Sequence, residues 1–425
     1  MPNDKEQNLV PEEPEEKKYS FLQETIKSKP ISRQQLVKQL VRIAIYGVIL
    51  GVFACFGFFA LKPWMQDMFR GELETVTIPE DEEPAEEPAE DASETDAAVQ
   101  TPDAASYEQM MASMNERADE AKKGLASVEP VLSEENQDEK LTGMNSGVTG
   151  VITADNGQEL LILADDSVCT GASRWTVMFE DGSTYSASLK KRDANSGLAV
   201  FSVPRGSITD DTWAEVKVSV LGNSNLVKQG DVVMALGNMF GYPGGMGYGI
   251  VSSTDQKTLF YDGECGVLAT DIAAETDGTG VLFNMDGEVI GMILASVWET
   301  DARMVNAYAV SDLKAVIEIL ANNESVPYIG IYGTTVTQEL KEEQGMPAGV
   351  YVVDVDPDSP AMEAGIQSGD IICQVDRKDV GSIITYQSAL LESKTGRAIR
   401  LKGQRRGADG YVEVDFTVTV GSKEK

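Results

Sequence analysis

Residues 235–252 read Ala-Leu-Gly-Asn-Met-Phe-Gly-Tyr-Pro-Gly-Gly-Met-Gly-Tyr-Gly-Ile-Val-Ser, an apolar run that breaks into a glycine-rich stretch and then resumes. Such punctuation suits short β-strands joined by turns, because glycine supplies turn conformations and proline stops a run. The rhythm extends in both directions. Runs at 147–153, 160–163, 175–179, 198–203, 232–236, 267–270 and 289–295 are rich in β-forming residues and separated by Gly, Asn and Asp, so residues 143–322 are expected to form an all-β barrel or sandwich. Residues 311–321 (SDLKAVIEILA) close this domain as a helix, with Ser311 as N-cap and Leu313, Val316, Ile317 and Leu320 on one face. Residues 327–421 mix strands with two short helical segments, at 337–344 and 384–393, and have the size of a separate module.

Upstream of the β-rich region the character changes. Residues 43–61 (IAIYGVILGVFACFGFFAL) run without a charge, and as a helix span roughly 28 Å, matching a hydrocarbon core of about 30 Å. The run is longer than the apolar part of a secretory signal peptide, and Lys62-Pro63-Trp64 is a poor cleavage site, so it reads as a retained transmembrane helix. Lys27, Lys29, Arg33, Lys38 and Arg42 precede it and place segment 1–42 in the cytoplasm, with the rest of the chain outside a cell membrane crossed once. Residues 62–106 are dominated by Glu, Asp, Ala and Pro and have no basic residue after Arg70, the pattern of a solvated, disordered acidic linker. Residues 107–142 are expected to lead in to the β domain through a helix, with Met110, Met111, Met114 and Ala121 on its apolar side.

Composition excludes several function classes. With 69 acidic residues against 35 basic ones and a formal charge of −34, the chain does not bind nucleic acid, which requires clustered cations to displace counterions. The four cysteines, Cys55, Cys169, Cys265 and Cys373, form no CxxC pair, so no metal site is expected, and no cofactor motif appears. Cys169 and Cys265 are the pair that could meet, leaving a disulfide and two buried free thiols both open. The chain has no histidine, which removes every mechanism that needs imidazole as base or ligand.

Several phrases resemble, in order over about 280 residues, the HtrA family of trypsin-like serine proteases. They are Asp181-Gly182 followed by Asp193 and Leu198-Ala199-Val200; Ala235-Leu236-Gly237-Asn238-Met239-Phe240-Gly241 with Gly249-Ile250-Val251-Ser252; Asn284-Met285-Asp286-Gly287-Glu288-Val289-Ile290-Gly291; and Asn306-Ala307-Tyr308-Ala309-Val310. The resemblance implies a mainly β protein: a chymotrypsin-like double β-barrel with a cleft between the barrels, followed by a PDZ domain. That cleft needs a serine nucleophile, a histidine base and an aspartate to orient the histidine. The corresponding positions carry Ser167, Gly197 and Gly278, and a register shift of one at the last offers only Asp277 or Thr279. Ser167, Cys169 and Cys265 remain as nucleophiles for a Ser-Lys type of chemistry, but no lysine lies near any of them in sequence.

In the last module Tyr328-Ile329-Gly330-Ile331 resembles the PDZ loop whose backbone N–H groups grip a peptide's terminal carboxylate. Asp358-Ser359-Pro360-Ala361-Met362-Glu363-Ala364-Gly365-Ile366 and Gly369-Asp370-Ile371-Ile372 are the most PDZ-like phrases. Gln387, Ser388 and Leu391 on the helical segment 384–393 are candidates to face the ligand. The reading is an HtrA-like pseudoprotease that binds peptide C-termini or an unfolded or partner protein outside the membrane, and is not an enzyme. The alternatives are an HtrA-type endopeptidase of protein quality control with a non-standard site, and an inactive subunit in a homo- or hetero-trimer with an active relative.

Overall fold

A computed structural model describes residue 46 and residues 74–81, 103–131, 147–240, 242–274, 278–297 and 303–424. The expected membrane span, residues 43–61, lies outside these apart from Tyr46. Among the described residues no helix is long and apolar enough to cross a membrane. Residues 72–425 group into one compact unit.

Two closed six-stranded barrels fill most of that unit. The first holds β1 (Leu125–Pro130), β2 (Val148–Asp155), β3 (Glu159–Asp165), β4 (Trp175–Phe179), β5 (Thr184–Asp193) and β6 (Leu198–Pro204), in the order β1-β2-β3-β6-β5-β4. The second holds β7 (Val232–Gly237), β8 (Gly245–Phe260), β9 (Gly263–Ala273), β10 (Gly280–Phe283), β11 (Val289–Ile293) and β12 (Met304–Ala309), in the order β10-β11-β12-β9-β8-β7. Their helices are α1 (Ala104–Lys122), α2 (Asp210–Glu215) and α3 (Val310–Ala321). The period-2 alternation of a strand divides the core in two. In β3, Leu160 and Ile162 pack inside the first barrel with Val177, Phe179 and Phe201. Leu161 and Leu163, on the other face, join Met234, Leu236, Phe283 and Ile290 of the second barrel and Leu313 and Ile317 of α3. One strand thus lines a barrel and cements the two barrels together.

The third module is a sheet of β13 (Ile331–Thr335), β14 (Val350–Val355), β15 (Ile371–Val375), β16 (Lys378–Asp379), β17 (Ala398–Gly407) and β18 (Gly410–Thr419), in the order β13-β14-β15-β17-β18 with β16 on β15. Helices α4 (Gln338–Gln344), α5 (Pro360–Glu363) and α6 (Ile383–Leu391) complete it around a core of its own. Ser359 caps α5 by accepting from the Met362 N–H, as the sequence suggests.

Several expectations change. Asp103 caps α1 through the Ser106 N–H, so the helix starts ahead of residue 107, and Leu125–Pro130, expected within the helical lead-in, is instead the first barrel strand, paired with β2 and β4. A six-residue strand beside a helix carries too little periodicity to announce itself; its partners, distant in sequence, determine it. Residues 74–81, expected inside the disordered linker, lie extended against α3. The Asn322 side chain binds both the N–H and the C=O of Val76, Glu318 accepts from the Ile78 N–H, and Lys314 pairs with Asp81 at 2.6 Å. Helix α3 has Ala309 at its N-cap without a side-chain bond, because Ser311 instead exchanges hydrogen bonds with Ser224. Cys169 and Cys265 are free: the first packs in the first barrel's core and the second in the other, so no disulfide joins them.

Candidate functional site

Ser167 lies on the short 3-10 turn Asp166–Cys169 that ends β3, and its own position is exposed. The buried Asp165 carboxylate holds that turn, accepting from the Ser167 N–H at 2.8 Å and from the Ala295 N–H of the second barrel at 2.7 Å. Gly197 sits in the β5–β6 turn, and its carbonyl accepts from the Asp166 N–H at 2.9 Å, so Gly197 lies beside the turn that carries Ser167. Its φ of +73° is one that residues with a Cβ rarely adopt. Gly278 precedes β10 on the second barrel. A Cβ there would stand 2.2 Å from Met239 Cα and 2.9 Å from Met239 Cβ. Met239 is fully buried and its Sδ-methyl end also covers Gly280, where a Cβ would meet Cε at 2.0 Å. The space beside Gly278 is therefore filled by the neighbouring loop.

The third module presents a different kind of geometry. The backbone N–H groups of Ile329, Gly330 and Ile331 converge on one point, with the Ile329 and Ile331 side chains turned into the module's core. Gly330 is required there: its φ is +90°, and a Cβ would strike Ser359 Cβ at 2.4 Å. Three amides aimed at one spot form an anion cradle. The cradle holds the carboxylate of Asp262, from the tip of the β8–β9 hairpin. The Tyr386 hydroxyl on α6 donates to the same carboxylate at 2.7 Å.

Both halves of this arrangement match known domains: residues 148–292 match the trypsin-like peptidase domain, and residues 327–416 the PDZ domain. The chain carries a trypsin-type domain followed by a PDZ domain and is similar in both to HtrA-type proteases. It is 31% identical over 280 residues to a probable periplasmic serine endoprotease DegP-like of Halomonas elongata, covering 64% of this chain and 56% of that protein. It is 29% identical over 282 residues to the serine protease Do-like HtrB of Bacillus subtilis, covering 61% and 60%. The chain thus spans a little over half the length of these relatives. Among solved structures, the HtrA-type protease AlgW with a tripeptide superposes at a TM-score of 0.52 with 24% identity, covering 72% of this chain and 96% of that one. AlgW with a decapeptide does so at 0.51 with 21% identity, covering 73% and 99%. These likenesses carry the fold. The curated relatives are named as proteases, which fits the endopeptidase alternative at least as well as the non-catalytic reading.

Few of the candidate nucleophiles are in a state to attack a carbonyl. Burial pushes the Cys169 thiol up to about 11, against the opposing pull of Arg192, and raises Cys265 well above its ordinary value. A thiol so shifted stays protonated near neutral pH and is a poor nucleophile. The Thr279 hydroxyl is buried and accepts from the Thr149 N–H at 2.8 Å, while its carbonyl accepts from Thr149 Oγ1 and the Asn238 N–H, clasping the two barrels. Asp277 lies outside the described residues. Among the described residues no lysine amine hydrogen-bonds to Ser167, Cys169 or Cys265, and no group of His, Cys, Asp or Glu is arranged to hold a metal. Carboxylates gather here instead. Burial raises Asp166, with Asp165 adding to the effect, and pushes Asp193 up to about 6.

In the PDZ domain, the residues singled out from sequence fall in two places, Tyr328–Ile331 at the amide cradle and Gln387, Ser388 and Leu391 on α6 facing the second barrel. Tyr328 directs its hydroxyl to Asp356, and burial followed by that carboxylate raises its pKa. Gln387 accepts from the Glu264 N–H of the barrel hairpin at 3.2 Å, and Ser388 and Leu391 line a cavity of about 460 Å³ between α6 and the second barrel. Sequence reasoning missed Asp262 and Tyr386. The only local signal was the Asp262-Gly263 turn, because the partners of Asp262, Ile329–Ile331 and Tyr386, are distant in sequence.

Proposed function

We propose that this protein is a non-catalytic HtrA-like module that binds polypeptide ends through its PDZ domain, held outside a membrane by the helix at residues 43–61. The observation that carries the reading is the state of the three catalytic positions: a chain without histidine places Ser167 and Gly197 together and leaves no room for a side chain at Gly278. Without a base, an orienting carboxylate and a nucleophile, acyl transfer by the trypsin mechanism has no path. The cradle at Ile329, Gly330 and Ile331 has the chemistry to take a terminal carboxylate, while Gln387, Ser388 and Leu391 on α6 line a separate cavity toward the second barrel. The periplasmic naming of relatives supports an extracytoplasmic location for both domains.

The protease names of those relatives favour a second reading, an HtrA-type endopeptidase with a non-standard site or a subunit that assembles with an active relative, as a homo- or hetero-trimer. Incubation of the purified full-length protein, in detergent, with unfolded casein and with a fluorophosphonate probe separates the two. No cleavage and no labelling is expected, beside an active HtrA protease as control; cleavage abolished by Ser167→Ala or Cys265→Ala overturns the non-catalytic reading.

A further inference from the structure

Asp262 stands at a position of positive φ, +63°, in the two-residue tip Tyr261-Asp262 between β8 and β9. It is 6% exposed, yet all four donors to its carboxylate come from the PDZ domain: the N–H groups of Ile329 and Gly330, both at 2.7 Å, that of Ile331 at 3.0 Å, and Tyr386 Oη at 2.7 Å. Its backbone N–H in turn donates to the Ile331 carbonyl at 2.6 Å. That pair of interactions, carboxylate in the amide cradle and N–H onto the following strand, is what the last residue of a peptide makes when it adds to a sheet edge. The strand concerned, β13, is the edge of its sheet and pairs only with β14. The flanks of the tip are also docked. Tyr261 packs edge-on against Tyr328 and Tyr332, with ring centroids 6.3 and 5.9 Å away, under the Lys423 ammonium. Gly263 approaches Gln387 so closely that a Cβ would lie 2.6 Å from its side chain.

We propose that Asp262 is a built-in ligand: the tip of the β8–β9 hairpin occupies the PDZ carboxylate cradle in cis, and a polypeptide ending in a free carboxylate binds by expelling it. This rests on the peptide-binding reading of the PDZ domain and adds what controls it. A site filled by its own chain shows an apparent affinity lowered by the fraction of time it stands open. The coupling is reciprocal, so a bound chain end frees a hairpin whose strands form the wall of the second barrel.

The test compares the full-length protein in detergent with Asp262→Gly, which keeps the positive φ, and with Asp262→Asn, which keeps the shape and removes the charge. Each is immobilised and exposed to a pool of random heptapeptides with free C-terminal carboxylates, and to the same pool amidated, with retained peptide quantified by mass spectrometry. Hydrogen exchange of the Ile329, Gly330 and Ile331 amides is followed in parallel. Asp262→Gly is expected to retain at least about tenfold more of the carboxylate pool than the native chain, the amidated pool to stay at background, and the three amides to exchange faster, with Asp262→Asn intermediate. Equal retention above background by native and variant chains overturns the plug while leaving the PDZ reading intact. Faster exchange without any retention overturns both, and makes Asp262 a brace between domains. Unchanged exchange overturns the plug whatever the peptides do.

Discussion

Replacing Gly278 by serine restores the family's nucleophile in name, and the structure sets what that costs. The new Cβ would lie 2.2 Å from Met239 Cα and 3.1 Å from Met239 C. Carbon atoms in contact sit about 3.5–4.0 Å apart, so relief needs a backbone movement of more than about 1 Å. Overpacking of this kind costs roughly 1–3 kcal/mol, and because the obstacle is main chain rather than a flexible side chain the upper end applies. Gly197→Asp forces a side chain onto a φ of +73°, at about 1 kcal/mol. Ser167→His, on an exposed turn, stays within about 0.5 kcal/mol of neutral. The assay is urea unfolding of residues 72–425 for each single variant and the triple variant, alongside casein hydrolysis. The stability order should be Ser167→His, then Gly197→Asp, then Gly278→Ser, with no hydrolysis by any single variant. Adding Met239→Ala to Gly278→Ser should recover little, because the clash is with Cα. A Gly278→Ser protein as stable as the native one, or one that cleaves casein unaided, refutes the reasoning.

Three further outcomes are expected. Burial lifts Asp193 from 3.8 to about 6, so between those values the folded chain keeps a proton that the unfolded chain has lost. Stability therefore falls as pH rises through that window, and Asp193→Asn should flatten the slope and stabilise the protein above it by on the order of 2–3 kcal/mol, read from unfolding curves at pH 4, 6 and 8. Asp370 is 1% exposed and held at 2.6 and 2.8 Å by Nε and Nη2 of the Arg405 guanidinium, so Arg405→Leu should cost roughly 1–3 kcal/mol and lower the unfolding midpoint of the PDZ domain; an unchanged midpoint refutes the assignment. Starting the chain at residue 103 rather than 72 removes the segment 74–81 clamped by Asn322 and Lys314 and should lower stability by about 1–2 kcal/mol, with Asn322→Ala in the longer chain reproducing part of the loss.

Much of this was legible in the chain before folding. Short β-forming runs between turn residues announce barrels because alternation and punctuation are local properties, and the order of the family phrases marks where one barrel and the PDZ domain follow another. The absence of histidine is a fact of composition, and it alone removes the trypsin base. The strand Leu125–Pro130 hid beside a helix, and residues 74–81 hid in an acidic stretch, because each is held by partners far away: β2 and β4 in one case, Asn322 and Lys314 in the other. Cys169 and Cys265, open to pairing by elimination, were separated by the boundary between two cores.

The catalytic positions and the peptide cradle divide in the same way. The residue types at 167, 197 and 278, on which the non-catalytic proposal rests, are sequence. That Met239 fills the space above Gly278 is tertiary, since steric exclusion depends on where a loop from another strand comes to rest. The loop Tyr328-Ile329-Gly330-Ile331 could be recognised from its glycine and its apolar neighbours, which must face the core for the amides to face outward. Its occupant could not. Asp262 lies 67 residues before Ile329, and only the packing of the second barrel against the PDZ domain brings that carboxylate onto three amides and a tyrosine hydroxyl.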